Sequence, residues 1–176
     1  MKLAYANAVS DTRPRPTGAS QRKLTQWLQP QDIVLGVDVW DRRRALELAS
    51  TRIGQANGLD PAPILRALWR REQIGSTALG LGIAIPHARI AGITRPLTLF
   101  MRPKMAMEFD APDGKPVSNL LVIMVPADGA TDDHLQLLAL VAQAFSDPVF
   151  RARLSAASSP AEVAAVFDQW ATALPG

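Results

Sequence analysis

Apolar and capping positions along the chain assign its elements in order. Asp41 is placed to cap a helix carrying Ala45, Leu46, Leu48, Ala49 and Ile53 on one face, with Gly58 as its stop. Asp60-Pro61 opens a second helix, with proline in the first turn and Ile64, Leu65 and Leu68 inward; this helix is expected to run out near Arg70–Arg71. A glycine-punctuated segment, Gly75-Ser76-Thr77-Ala78-Leu79-Gly80-Leu81-Gly82, leads into Ile83-Ala84-Ile85 and then Pro86-His87. Leu97, Leu99 and Met101 alternate as in a strand, with Pro96 at its start. Asn119 to Val125 is a continuous apolar run bounded by Pro126, which suits a strand covered on both faces. Thr131 or Asp132 then caps a helix bearing Leu135, Leu138, Ala139, Ala142 and Phe145, and Ser159, Pro160 and Glu162 form a capping box for the last helix.

Helices lead, strands fill the middle and helices close, which predicts a mixed α/β domain with helices covering a central sheet. Strand order is not contained in this pattern. Residues 1–20, which include Arg13-Pro14-Arg15-Pro16-Thr17-Gly18, have no hydrophobic period and read as a poorly ordered arm. Residues 21–176 read as one domain.

Composition narrows the chemistry. The chain has 176 residues, 48% of them hydrophobic, two histidines and no cysteine, which excludes a disulfide scaffold, a cysteine nucleophile and a thiolate metal site. Two imidazoles cannot form a histidine-rich metal cage, and neither metal nor cofactor is expected. No apolar run reaches the roughly 18 residues of a membrane span, and the segment after Met1-Lys2 is too short and polar for a secretory signal. The expected location is the cytoplasm.

The net charge of +3 is split: residues 1–71 hold twelve Lys/Arg against six Asp/Glu, and residues 72–176 hold seven against ten. The run Arg42-Arg43-Arg44 sits at a helix start and reads first as a solvated face. A second reading makes the face around residues 42–71 a receiver for an acidic partner surface. The single tyrosine and the lack of aromatic–basic interleaving argue against nucleic acid.

His87 follows Pro86 closely and lies downstream of permissive glycines, so it is expected on a stiff strand-end turn. Two readings stay open there: a presented reactive imidazole, or a histidine that satisfies a loop carbonyl. His134, in the first turn of its helix after Asp132-Asp133, either lines an anion site at a helix start or is an ordinary surface residue. Arg70 and Arg71 complement a helix C-terminus, or form a fork for phosphate oxygens. Ser76 and Thr77 add hydroxyl donors or make a turn. Gly80-x-Gly82 lacks the remaining parts of a nucleotide fingerprint.

The string Arg71-Glu72-Gln73-Ile74-Gly75-Ser76-Thr77-Ala78-Leu79-Gly80-Leu81-Gly82-Ile83-Ala84-Ile85-Pro86-His87-Ala88-Arg89 joins these pieces. It resembles the signature of enzyme IIA domains of the fructose/mannitol class of the bacterial phosphotransferase system, and above all the nitrogen-regulatory branch. The likeness extends over roughly residues 22–172, through Arg44-Ala45-Leu46-Glu47, Val125-Pro126-Ala127 and His134-Leu135-x-x-Leu138 followed by Phe145. The resemblance implies a single α/β domain whose mixed central sheet is flanked by helices on both faces. It also implies that His87 accepts a phosphoryl group from an HPr-like carrier, that Arg71 holds the phosphoryl oxygens and that His134 lines the same pocket. Gly75, Ser76 and Thr77 would support that pocket. Ala78 departs from the glycine usual in the family, which matters if the position needs positive φ.

The implied function is a phosphohistidine-forming phosphoryl carrier whose state regulates nitrogen or general metabolism. Its other partners would be regulated proteins such as transporters or kinases, and a homodimer is compatible with the sequence. Two alternatives stand beside it: the IIA component of a sugar uptake system, and a docking module that kept the fold without the chemistry. Separation of His87 and His134 by far more than a phosphoryl group's reach would favour the second; convergence of His87, Arg71 and His134 in one pocket speaks against it.

Overall fold

Asp41 and Gly58 bracket the first helix as their chemistry demands. In the computed structural model, which describes residues 28–128 and 131–173, α1 spans Arg42–Asn57. The Asp41 carboxylate accepts from the Arg44 amide at 2.7 Å, and Gly58 closes the helix at φ +65° in the left-handed region. α2 spans Pro61–Ile74, with Asp60 accepting from the Ala62 amide. It continues almost one turn beyond the end expected near Arg70–Arg71. The extra turn is held by tertiary partners, because Arg71 and Glu72 both bond to the segments packed beside it.

Among the described residues, six strands form one mixed sheet: β1 Ile33–Val37, β2 Ala78–Gly80, β3 Ile83–Ala84, β4 His87–Ile90, β5 Leu97–Pro103 and β6 Asn119–Pro126. The order is β1-β5-β6-β3-β2, with β4 also paired to β6. β3 and β4 lie in line along one side of β6, both parallel to it, with Ile83 opposite Asn119 and His87 opposite Ile123. The other side of β6 pairs antiparallel with β5, and β5 pairs parallel with β1. His87 therefore opens a strand and does not sit on a strand-end turn. The break falls at Ile85-Pro86, where the Pro86 carbonyl accepts from the Ile123 amide at 2.9 Å. Proline needs no donor partner there, so the interruption costs the ladder little.

β6 is the axis of the core. Leu120, Val122 and Met124 pack with Leu46, Ile53, Ile64 and Leu68 of α1 and α2. Leu121, Ile123 and Val125 face the opposite cluster, built with α3 Thr131–Ser146, α4 Pro148–Ala156 and α5 Pro160–Ala173. That parity explains why the run is apolar at every position. Burial of such side chains contributes about 1.5–3 kcal/mol each, so this strand ties both helical layers to one sheet. Phe145, Phe150 and Phe167 pack edge to face at 5.0–6.1 Å between centroids, joining α3, α4 and α5.

Several expectations are corrected. α3 buries Leu137, Leu140, Val141, Ala144 and Phe145, so its inward face is rotated from the expected Leu135–Leu138–Ala142 stripe, and Leu135 is 56% exposed. The segment Leu135 to Phe145 is apolar almost all round, and only packing selects the face. The capping box of α5 is half formed. The Ser159 hydroxyl accepts from the Glu162 amide, but the Glu162 carboxylate turns to the amide and hydroxyl of Ser158. β1 and α4 have no counterpart among the expected elements. In β1 the register shifts between Leu35 and Val37, and Gly36 has φ +67°, which breaks the alternation a strand would show. α4 follows α3 after the single residue Asp147, which caps it through the Val149 amide. The expected arm at residues 1–20 lies outside the described residues.

Candidate functional site

Three elements converge beside the β4 edge of the sheet. The last turn of α2 supplies Arg71, the first residue of β4 supplies His87, and the first turn of α3 supplies His134. Arg71 Nε lies 3.2 Å from His87 Nε2, and Arg71 Nη1 donates to the Gly75 carbonyl at 2.9 Å. The two imidazoles are 5.8 Å apart between centroids and tilted by 48°. Wide separation of the two histidines would have favoured the docking-module reading; they lie side by side, with Arg71 against His87.

The hydrogen bonds define the tautomer of His87. Its Nδ1 lies 2.8 Å from the Ile85 carbonyl, which can only accept, so Nδ1 carries the proton. Arg71 can only donate, so Nε2 carries the lone pair. Both bonds call for the same neutral ring. Burial lowers the His87 pKa below the ordinary 6.5 and the Arg71 charge acts in the same direction, against the opposing Ile85 bond and Glu72 charge. Burial likewise lowers His134, assisted by electrostatic coupling to His87 and by the Arg89 charge. His134 Nδ1 is buried without a hydrogen-bond partner. An unmet polar atom of this kind costs about 1–3 kcal/mol and marks a place where an incoming polar group would be stabilised.

The loop after α2 is held by a residue that motif reasoning passed over. Glu72 is 3% exposed and its carboxylate accepts from the Thr77 amide at 3.1 Å and the Thr77 hydroxyl at 2.6 Å. Arg42 approaches Glu72 at 3.6 Å while pairing with Asp110 at 2.7 Å. The available signal was a carboxylate in the last turn of a helix, where the macrodipole disfavours it. A group kept against that bias has a partner.

The Thr77 and Ser76 hydroxyls are both committed to protein acceptors, Thr77 to Glu72 and Ser76 to the Phe109 carbonyl. Ser76 also accepts from the Ala78 amide. These residues build the wall beside the pocket, and Gly75 contributes the carbonyl that holds Arg71. Among the described residues positive φ outside glycine occurs only at Leu81 and Asp110, so Ala78 sits in ordinary extended backbone and its departure from the family pattern introduces no strain.

The Arg42–Arg44 run is not a bare basic face. Arg43 and Arg44 both pair with Glu47, at 3.1 and 3.0 Å, and stack over Trp69 and Trp40 respectively. Among the described residues, no group of three or more His, Asp or Glu side chains is arranged to hold a metal ion, and no helix is long and apolar enough to cross a membrane.

A half-buried imidazole whose lone pair faces a guanidinium stands at a sheet edge between two helix ends of an α/β fold. The chain belongs to the phosphoenolpyruvate-dependent sugar phosphotransferase system EIIA 2 family, whose sequence model matches residues 26–170. It is a phosphoryl-transfer component of that system. It is 39% identical over 123 residues to the nitrogen regulatory protein of Escherichia coli K12, covering 69% of this chain and 75% of the relative. It is 36% identical over 136 residues to the nitrogen regulatory protein of Pseudomonas aeruginosa, covering 77% and 88%. The crystal structure of nitrogen regulatory protein IIA-Ntr from Neisseria meningitidis superposes with a TM-score of 0.78 at 38% identity, covering 82% of this chain and 99% of that one.

Proposed function

We propose that Nε2 of His87 receives the phosphoryl group from an HPr-like phosphocarrier and that the phosphorylation state of this residue regulates partner proteins in the cytoplasm. The observation that carries the reading is the pair of opposed hydrogen bonds on His87, Nδ1–H to Ile85 and Nε2 from Arg71. They hold the ring in the tautomer a nucleophile needs.

In the transfer, the N–P bond of the donor phosphohistidine breaks as the bond from His87 Nε2 to phosphorus forms. No proton has to leave Nε2, because its lone pair is already free, and the Nδ1–H bond to Ile85 stabilises the charge that develops on the ring. The Arg71 Nε–H moves from Nε2 to a phosphoryl oxygen, a charge-assisted bond of the kind that stabilises the equatorial oxygens in transit. His134 turns a polar edge to the same group, giving its buried nitrogen a partner. Glu72 and Thr77 hold the wall in place, which makes the site preorganised. The likeness to nitrogen regulatory relatives supports a regulatory role over sugar uptake.

Incubation with phosphorylated carrier tests the assignment. An acid-labile, alkali-stable phosphate on the protein, absent from His87→Ala, is the expected result; a phosphate that persists in that variant overturns it.

A further inference from the structure

A second cleft, of about 440 Å³, runs along the seam between α2 and β4. Arg66, Arg70 and Arg89 line it over an apolar floor that includes Leu59, Ile64 and Ile90. It is separate from the phosphoryl pocket, since none of His87, Arg71 and His134 lines it.

Arg66 and Arg70 differ from the arginines of α1 in one respect. Arg42, Arg43 and Arg44 each meet a carboxylate within 3.1 Å, whereas among the described residues no carboxylate lies within ion-pair distance of Arg66 or Arg70. Arg66 and Arg70 are four positions apart on one helix, so both project on the same side. Arg89 comes from the strand opposite, and its Nη1 donates to the Ala127 carbonyl at 3.4 Å. Among the described residues lining the cleft the one acid, Asp60, caps α2 through the Ala62 amide.

We propose that this cleft binds a small organic phosphate, with its phosphoryl oxygens on the guanidinium groups of Arg66, Arg70 and Arg89 and its body over Leu59, Ile64 and Ile90. Guanidinium forks match phosphate oxygens in geometry and charge. A concave site with an apolar floor and a few convergent polar groups suits a small molecule better than a flat protein surface. The position gives the ligand a route to the transfer site. Arg70 immediately precedes Arg71, and Arg89 lies two residues after His87 on β4 and acts electrostatically on His134. The inference does not rest on the proposed role of His87, whose phosphorylation is read in a separate assay.

Calorimetric titration with ADP is the test, on wild type, R66Q/R70Q and the charge-matched control R52Q/R95Q. All four arginines are exposed, and thermal melts verify that both variants fold. The expected result is saturable ADP binding in wild type and in the control, weakened about tenfold or more in R66Q/R70Q. Three results overturn the proposal. They are no saturable binding at millimolar ADP, equal weakening in the control, and a loss in R66Q/R70Q of binding to an acidic carrier protein with ADP binding unchanged.

Discussion

Arg71 donates through Nε to His87 Nε2 at 3.2 Å while its Nη1 holds the Gly75 carbonyl at 2.9 Å. One side chain thus reads the lone pair of the acceptor and fastens the start of the adjacent loop. In the proposed transfer, a phosphoryl group arriving on Nε2 would take the place that the Nε–H now fills, with the arginine within reach of its oxygens.

Arg71→Lys tests this double duty. Lysine is a point charge without a planar fork and cannot serve both acceptors with one geometry. Removal of one preorganised donor from a charge-stabilising site costs about 10²–10³ in rate. Phosphorylation of Arg71→Lys by phosphorylated carrier should slow by that order while the fold, followed by circular dichroism, is unchanged. A rate near wild type would remove Arg71 from the transfer step.

Glu72 carries a structural prediction with a kinetic echo. Glu72→Gln replaces a charged acceptor of the Thr77 amide and hydroxyl by a neutral one and leaves Arg42 facing Asp110 alone. Hydrogen bonds to a charged group are worth about 1.5–3 kcal/mol each against about 1 kcal/mol for neutral ones, so a loss of about 1–3 kcal/mol in unfolding free energy is expected. Because the loop also anchors Arg71 through Gly75, phosphorylation should slow as well. Denaturant titration and the carrier assay check the two parts; an unchanged midpoint would show that the network contributes nothing.

The pH dependence follows from the direction of the His87 shift. Its folded pKa lies below the ordinary 6.5, chiefly through burial. Above 6.5 the ring is neutral in both folded and unfolded chains and the full stability is present. As pH falls from 6.5 through the folded value, the unfolded chain takes up a proton that the folded protein resists, and stability is lost. The His87 ring proton should titrate with a midpoint below 6.5 by NMR, and unfolding free energy should decline over the same window. A midpoint above 6.5 would contradict the half-buried neutral ring.

Much of the fold was legible where a local device dictates the geometry. Asp41, Gly58 and Asp60-Pro61 bounded two helices because caps act through the nearest backbone. The Asn119–Val125 run read as a strand covered twice because both of its faces are buried. The register of α3 was not legible, since its apolar residues surround the helix and only the sheet decides which side turns in. β1 was hidden by its bulge at Gly36. At the site, the motif pointed to His87, Arg71 and His134, but spacing alone could not supply the Ile85 carbonyl that sets the tautomer. Nor could it show that Ser76 and Thr77 spend their hydroxyls on Phe109 and Glu72, partners that the tertiary fold provides.

The most direct measurement of the central claim is the identity of the phosphorylated atom. Heteronuclear NMR of the phosphorylated protein, with nitrogen–phosphorus couplings resolved, distinguishes the two ring nitrogens of each histidine. The account predicts phosphate on Nε2 of His87, with Nδ1 still protonated towards Ile85. Phosphate on Nδ1 of His87, or on His134, would contradict it.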